Sequence, residues 1–199
     1  MRQLRLIPAA ALGLLAGCQP SPPPTPPPAP PAKSPAVPEA AAKGSETMVM
    51  TLTSPAFGEG QAIGAKHGYR NQNLSPALAW GEPPAGTKSL ALLVDDPDAP
   101  AGDWVHWVLF NLPATARGLT EGVAKEAQRA DGSRQGKNDF GNLGWDGPAP
   151  PSGTHHYHFK LYALDASLSL AAGATKKDLL AAIAGHELGR AELVGTFSK

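Results

Sequence analysis

Eleven of the 22 prolines in this chain stand between Pro20 and Pro38, and this crowding constrains the fold more than any other feature of the sequence. Proline removes a backbone donor and holds φ near −65°, so such a stretch enters neither a helix interior nor a central strand. The segment 19–44, QPSPPPTPPPAPPAKSPAVPEAAAKG, also has no apolar face to bury. It reads as a disordered, extended Pro-rich spacer. At about 3.1 Å per residue, the stretch from Pro20 to Pro38 reaches roughly 60 Å, enough to hold a domain clear of a surface. Folding is therefore confined to residues 45–199.

Ahead of the spacer, MRQLRLIPAAALGLLAGC carries two arginines and an apolar run from Leu6 to Ala16, the layout of a secretory signal. The run is too short for a permanent membrane span. Leu15, Ala16, Gly17 and Cys18 resemble a bacterial lipobox, and Cys18 is the only cysteine of the chain. That resemblance implies a lipoprotein signal peptide over 1–18 with its lipobox ending at Cys18, cleaved ahead of the cysteine so that a lipidated Cys18 becomes the new N-terminus. Several acyl chains anchor stably, because each buried methylene contributes about 0.8 kcal/mol. Gln19 stands where an Asp would mark inner-membrane retention. By the same resemblance the protein belongs to the bacterial cell envelope, on the outer membrane and facing the periplasm.

The formal net charge is zero, with 17 basic and 17 acidic residues, so the chain has no electrostatic footprint for nucleic acid. Residues 45–199 form one domain that reads mainly as strands. Thr47 to Thr53 alternates, with Met48, Met50 and Leu52 on one side. Ser89 to Val94, SLALLV, is apolar on both sides, as in a central strand covered on two faces. Trp104 to Leu112, His155 to Leu164 and Ala191 to Phe197 are further strands. One helix begins at a capping box, Thr175 to Asp178, continues through Leu179, Leu180 and Ile183, and ends near Gly185.

Strand parity sorts the polar residues. It places His106 with Trp104, Val108 and Phe110, and it places His155 and Tyr157 with Phe159 and Leu161. His156, His158 and Lys160 take the opposite face, so the three histidines of HHYH do not form one cluster. No G-x-S-x-G occurs, and Ser152 has no motif of a nucleophile. His156 and His158 have a spacing that lets two imidazoles reach one ion, but FKLYALD follows without a further ligand, and a solvated face is the reading taken. No catalytic residue, metal or cofactor is assigned.

The stretch DPDAPAGDWVHW, Asp96 to Trp107, ends the apolar strand with acids on a proline-restricted turn. With N-x-S-P-x-L-x-W at Asn73 to Trp80, N-D-F-G at Asn138 to Gly141, G-P-x-P-P at Gly147 to Pro151 and H-x-Y-x-F at His155 to Phe159, it resembles the phosphatidylethanolamine-binding protein family, in its bacterial Raf-kinase-inhibitor-like branch. The resemblance implies a mostly β fold of two antiparallel sheets with a few short peripheral helices. It also implies a small anion pocket lined by Asp96, Pro97, Asp98, His106, Gly147, Pro148, His155 and Tyr157. Two positions depart from the pattern: His156 stands where the family usually has Arg, and Trp145 where bacterial relatives commonly show Tyr, which is expected to narrow the pocket mouth.

A carboxylate about 4 Å from a phosphate repels it by roughly 4 kcal/mol at an effective dielectric of 20. The expected resolution is that Asp96 or Asp98 holds His106 and His155 as protonated donors, helped by N–H groups of the Gly147 loop, with the tryptophans excluding water. The leading expectation is thus a lipid-anchored binding protein for phosphate, phosphoethanolamine or a phospholipid head group. Beside it stand an inhibitor or regulatory partner of a periplasmic enzyme such as a protease, and an acid–base hydrolase using Asp96 and His106.

Overall fold

The structure, a computed structural model, describes residues 48–199. The expected signal peptide, Cys18 and the expected spacer lie outside the described residues.

Eleven short elements build two sheets and one helix. In chain order the strands are β1 (Met48–Val49), β2 (Leu52–Thr53), β3 (Leu78–Trp80), β4 (Ser89–Asp96), β5 (Trp104–Pro113), β6 (Gly118–Leu119), β7 (Arg134–Gln135), β8 (Thr154–Leu164) and β9 (Glu187–Ser198). Between β8 and β9 lies α1 (Lys176–Ile183), and a single 3-10 turn spans Ala65–His67. The larger sheet has the order β1-β9-β8-β4-β5-β7 and the smaller one β2-β3-β6. Every ladder is antiparallel except β1 with β9. The fold is mostly β, as the resemblance implies.

β4 sits between β5 and β8, and all eight of its residues are buried. One face, through Leu90, Leu92 and Val94, packs with Trp107, Leu109, Phe159 and Leu161 against Leu52, Leu78, Trp80 and Leu119 of the smaller sheet. The other face, through Ala91 and Leu93, packs with Val105, Val108, Phe110 and Tyr162 against Leu179 and Ile183 of α1. This double cover is why SLALLV is apolar throughout. Each large side chain removed from water here contributes about 1.5–3 kcal/mol.

The helix starts as its residues dictate. Asp178 N–H donates to Thr175 Oγ1 at 3.3 Å and Thr175 N–H donates to the Asp178 carboxylate at 2.9 Å, the reciprocal capping box. The run Thr47 to Thr53 differs from expectation. Val49 pairs with Arg190 of β9, whereas Leu52 pairs with Trp80 of β3, so the chain passes between sheets at Met50 and Thr51. Alternation records burial on one side, which Met50 and Leu52 both have, and carries no record of which sheet supplies the partner.

A second difference falls on the site itself. Val94 faces Trp107 and Asp95 faces Val105, so β5 carries one extra residue, His106. This β-bulge resets the alternation. His106 turns to the Trp107 side, with its ring 5.1 Å from that of Tyr157 and 6.5 Å from that of Trp145, while Val108 and Phe110 belong to the opposite cluster. Its expected grouping with Val108 and Phe110 is therefore wrong. Along β8 no bulge intervenes, and His155, Tyr157, Phe159 and Leu161 share one face.

Candidate functional site

Asp96 ends β4, and the following turn delivers Ala99, Pro100 and Ala101 to the rim of a cavity of about 240 Å³. Trp104, His106, Phe140, Ala149, Pro151 and His155 complete its lining. Asp96 and His155 are both buried, and His155 Nδ1 lies 2.7 Å from Asp96 Oδ2. The other carboxylate oxygen of Asp96 accepts the Asp98 N–H at 2.9 Å, which closes the turn and aims the first oxygen at the imidazole.

His106 has a different partner. Its Nδ1 lies 2.6 Å from the backbone carbonyl oxygen of Asp146, so the carboxylate expected to charge this ring is engaged with His155 instead. His106 is only 2% exposed. Burial pushes its pKa below the usual histidine range, against the opposing pull of the Asp146 carbonyl and the Asp96 charge. The two imidazoles thus differ: one is paired with a carboxylate, and the other is held neutral.

Tyr157, expected in the pocket, is not part of this lining; its ring lies 5.1 Å from that of His106. It is fully buried, and its Oη is one of three buried side-chain polar atoms without a hydrogen-bond partner among the described residues. Burial first, and the Asp96 charge second, push its pKa far above the usual phenol range. The phenol therefore stays a donor at any physiological pH. Among the described residues the lining carries no lysine or arginine.

Four further expected pocket residues lie elsewhere. Pro97 and Asp98 are exposed on the turn and do not line the cavity. Asp98 instead binds His156: its Oδ2 accepts the His156 N–H at 2.9 Å and lies 2.7 Å from His156 Nδ1. That ring first, and the backbone N–H second, hold the Asp98 carboxyl below its usual range. His156 thus reaches an acid from the position where the family usually has Arg. Gly147 cannot donate to a ligand, because its N–H donates to Asn73 Oδ1 at 2.8 Å. Pro148 lines a neighbouring cavity of about 310 Å³ on the far side of Ala149.

The tryptophans also divide. Trp104 lines the cavity, Trp107 is buried and donates to Gln135 Oε1 at 3.0 Å, and Trp145 is buried behind His106 rather than at the mouth. Phe140 forms a wall that motif reading left without a role: its ring stacks on Tyr69 at 4.5 Å and meets Trp104 edge-on at 5.6 Å. The N-D-F-G stretch contained it, but nothing local in that stretch says which side chain points inward.

Two packed sheets, with an acid and two imidazoles lining a small preformed cavity at the C-terminal end of the central strand, define the class of β protein to which this chain is similar. This chain belongs to the phosphatidylethanolamine-binding protein family, whose profile matches residues 53–198. It is 48% identical over 150 residues to the UPF0098 protein of Methanothermobacter thermautotrophicus, covering 75% of this chain and 99% of that one. It is 40% identical over 150 residues to LppC of Mycobacterium tuberculosis, a protein named as a lipoprotein, covering 74% of this chain and 72% of that one. Among solved structures, the homologue CT736 from Chlamydia trachomatis superposes with a TM-score of 0.70 at 40% identity, over 76% of this chain and 98% of that one. YbcL of Escherichia coli gives a TM-score of 0.70 at 31% identity, over 76% and 99%.

Proposed function

We propose that this cavity binds small anions, in particular phosphate, phosphoethanolamine or a phospholipid head group, and that the protein does so as a lipid-anchored component of the bacterial envelope facing the periplasm. The observation that carries the ligand class is the convergence of the Asp96–His155 pair and His106 on one cavity of about 240 Å³, with the Tyr157 ring edge-on against His106. When the His155 imidazolium forms, Asp96 compensates its charge at Nδ1, and Nε2 carries a proton for an anion oxygen. Ala99, Pro100, Ala101, Ala149 and Pro151 supply an apolar collar that strengthens such a contact by excluding water.

The anchor rests on Cys18 within Leu15-Ala16-Gly17-Cys18 and is supported by the lipoprotein name of LppC. Titration calorimetry with phosphoethanolamine near pH 5.5 and near pH 8 tests the ligand reading. Saturable binding is expected in at least one of the two titrations. An absence of saturable binding at both pH values overturns the reading. Labelled palmitate incorporation tests the anchor: Cys18→Ser is expected to abolish label and release the protein to the soluble fraction.

A further inference from the structure

His106 is held by a loop that is itself held from every side. Asp146 grips the histidine twice, since its N–H donates to the His106 carbonyl at 3.0 Å and its carbonyl accepts from His106 Nδ1 at 2.6 Å. A carbonyl oxygen only accepts, so the proton sits on Nδ1 and Nε2 keeps its lone pair. Nε2 is then the remaining polar atom of a ring that lines the cavity.

What fixes the Asp146 peptide is its own side chain. The carboxylate is 1% exposed and accepts four hydrogen bonds, from Asn73 at 2.8 Å, Lys125 at 2.5 Å, Asn138 at 2.8 Å and Asn142 at 2.9 Å. Burial alone would raise its pKa, but these donors together hold it below the usual carboxylate range. Asn73 also takes the next link of the chain, accepting the Gly147 N–H at 2.8 Å. One amide side chain thus holds both the Asp146 carboxylate and the Gly147 N–H that follows it. To do so Asn73 adopts φ +54°, in the left-handed region where residues other than glycine are uncommon.

We propose that Asn73 and Asp146 are positioning residues that lock His106 as the Nδ1–H tautomer, so that the pocket presents a lone pair and selects phosphate monoesters, which bring a proton to that point, over phosphodiesters, which do not. The selectivity rests on the phosphate reading above and narrows it to phosphate and phosphoethanolamine, since the phosphate of an intact phospholipid is a diester; the tautomer does not rest on it. A monoester monoanion donates its P–OH to His106 Nε2 while an unprotonated oxygen accepts from His155. A diester has only acceptors and meets the lone pair head-on, unless His106 takes up a proton in a buried site. The charged and titratable groups around His106 are Asp96 from β4, His155 and Tyr157 from β8, and Asp146 from its own loop.

Two measurements on the full chain separate the parts. Long-range proton–nitrogen correlation spectra of histidine-labelled protein near neutral pH report the His106 tautomer without ligand. The wild type is expected in the Nδ1–H form, and Asn73→Ala and Asp146→Asn are each expected to move it towards the Nε2–H form. Should Asp146→Asn not fold, Asn73→Ala, at a partly exposed residue, decides alone. Calorimetry near pH 6, where a monoester keeps one proton in part, compares methyl phosphate with dimethyl phosphate. The monoester is expected to bind about tenfold tighter, the equivalent of one hydrogen bond, and Asn73→Ala to erase most of that margin. A wild-type ring in the Nε2–H form overturns the lock. Equal affinities overturn the selectivity, and binding of neither ester overturns the phosphate reading while the spectra still decide the lock.

Discussion

His155 Nδ1 and Asp96 Oδ2 lie 2.7 Å apart on adjacent strands, although the two residues are 59 positions apart in the chain, and both side chains are almost wholly buried. Removing one partner of a buried pair leaves the other without compensation, at a cost of about 3–5 kcal/mol. Asp96→Ala is therefore expected to lower unfolding free energy in urea by about that amount and to abolish phosphoethanolamine binding. His156→Ala, whose ring is exposed and paired outside the cavity, is expected to change stability by less than about 1 kcal/mol and leave binding intact. Loss of binding in the second variant would mean that Asp98, not Asp96, governs the pocket.

The neighbouring acid acts on the other side of the sheet. Asp95 is fully buried against the helix face, where Lys160 Nζ lies 2.7 Å and 2.9 Å from its two oxygens and Lys176 Nζ 2.7 Å away. Asp95→Ala strands the partly buried Lys160 ammonium and leaves Lys176 with Asp103 as its remaining acid, and a destabilisation of about 3 kcal/mol is expected in chemical denaturation. Ligand affinity of the folded fraction should not move. A binding defect larger than the loss of folded protein would show that the two faces communicate.

His106 sets an acid limit on stability. Its folded pKa lies below the ordinary value of about 6.5. Between those two values the unfolded chain binds more protons than the folded one, so unfolding free energy falls as pH drops below about 6.5. Denaturation curves of ligand-free protein from pH 7 to pH 5 should show this decline, and His106→Gln should flatten it. A wild type equally stable across that interval would contradict the buried neutral ring.

Gly147 is required by space. A Cβ at this position would sit 1.9 Å from the His67 carbonyl oxygen and 2.9 Å from Tyr69 N, both backbone atoms that cannot swing aside. Gly147→Ala must displace the loop that holds His106, and a loss of at least about 2 kcal/mol is expected, together with weakened ligand binding. Thermal unfolding within a degree of wild type would show that the loop has slack.

Much of this was legible beforehand. Thr175 and Asp178 announce the helix start because a capping box is satisfied within four residues. The face shared by His155, Tyr157 and Phe159 follows from strict alternation along an unbroken strand. The grouping of His106 was not legible, because one extra residue in β5 changes its side and only the pairing of β5 with β4 reveals it. The same holds for Gly147: the motif marks a loop near the site, but the Asn73 amide that consumes its N–H comes from 74 residues earlier.

The sequence by itself determined which strand is covered on both faces, which helix forms and how it is capped, since these depend on composition and on neighbours a few residues away. Only the tertiary structure decided which acid meets which imidazole. Asp96 joins His155, Asp98 joins His156, and His106 is left to a backbone carbonyl. Such choices turn on strand register and one bulge, and a shift of a single residue there moves a side chain by the full thickness of the sheet.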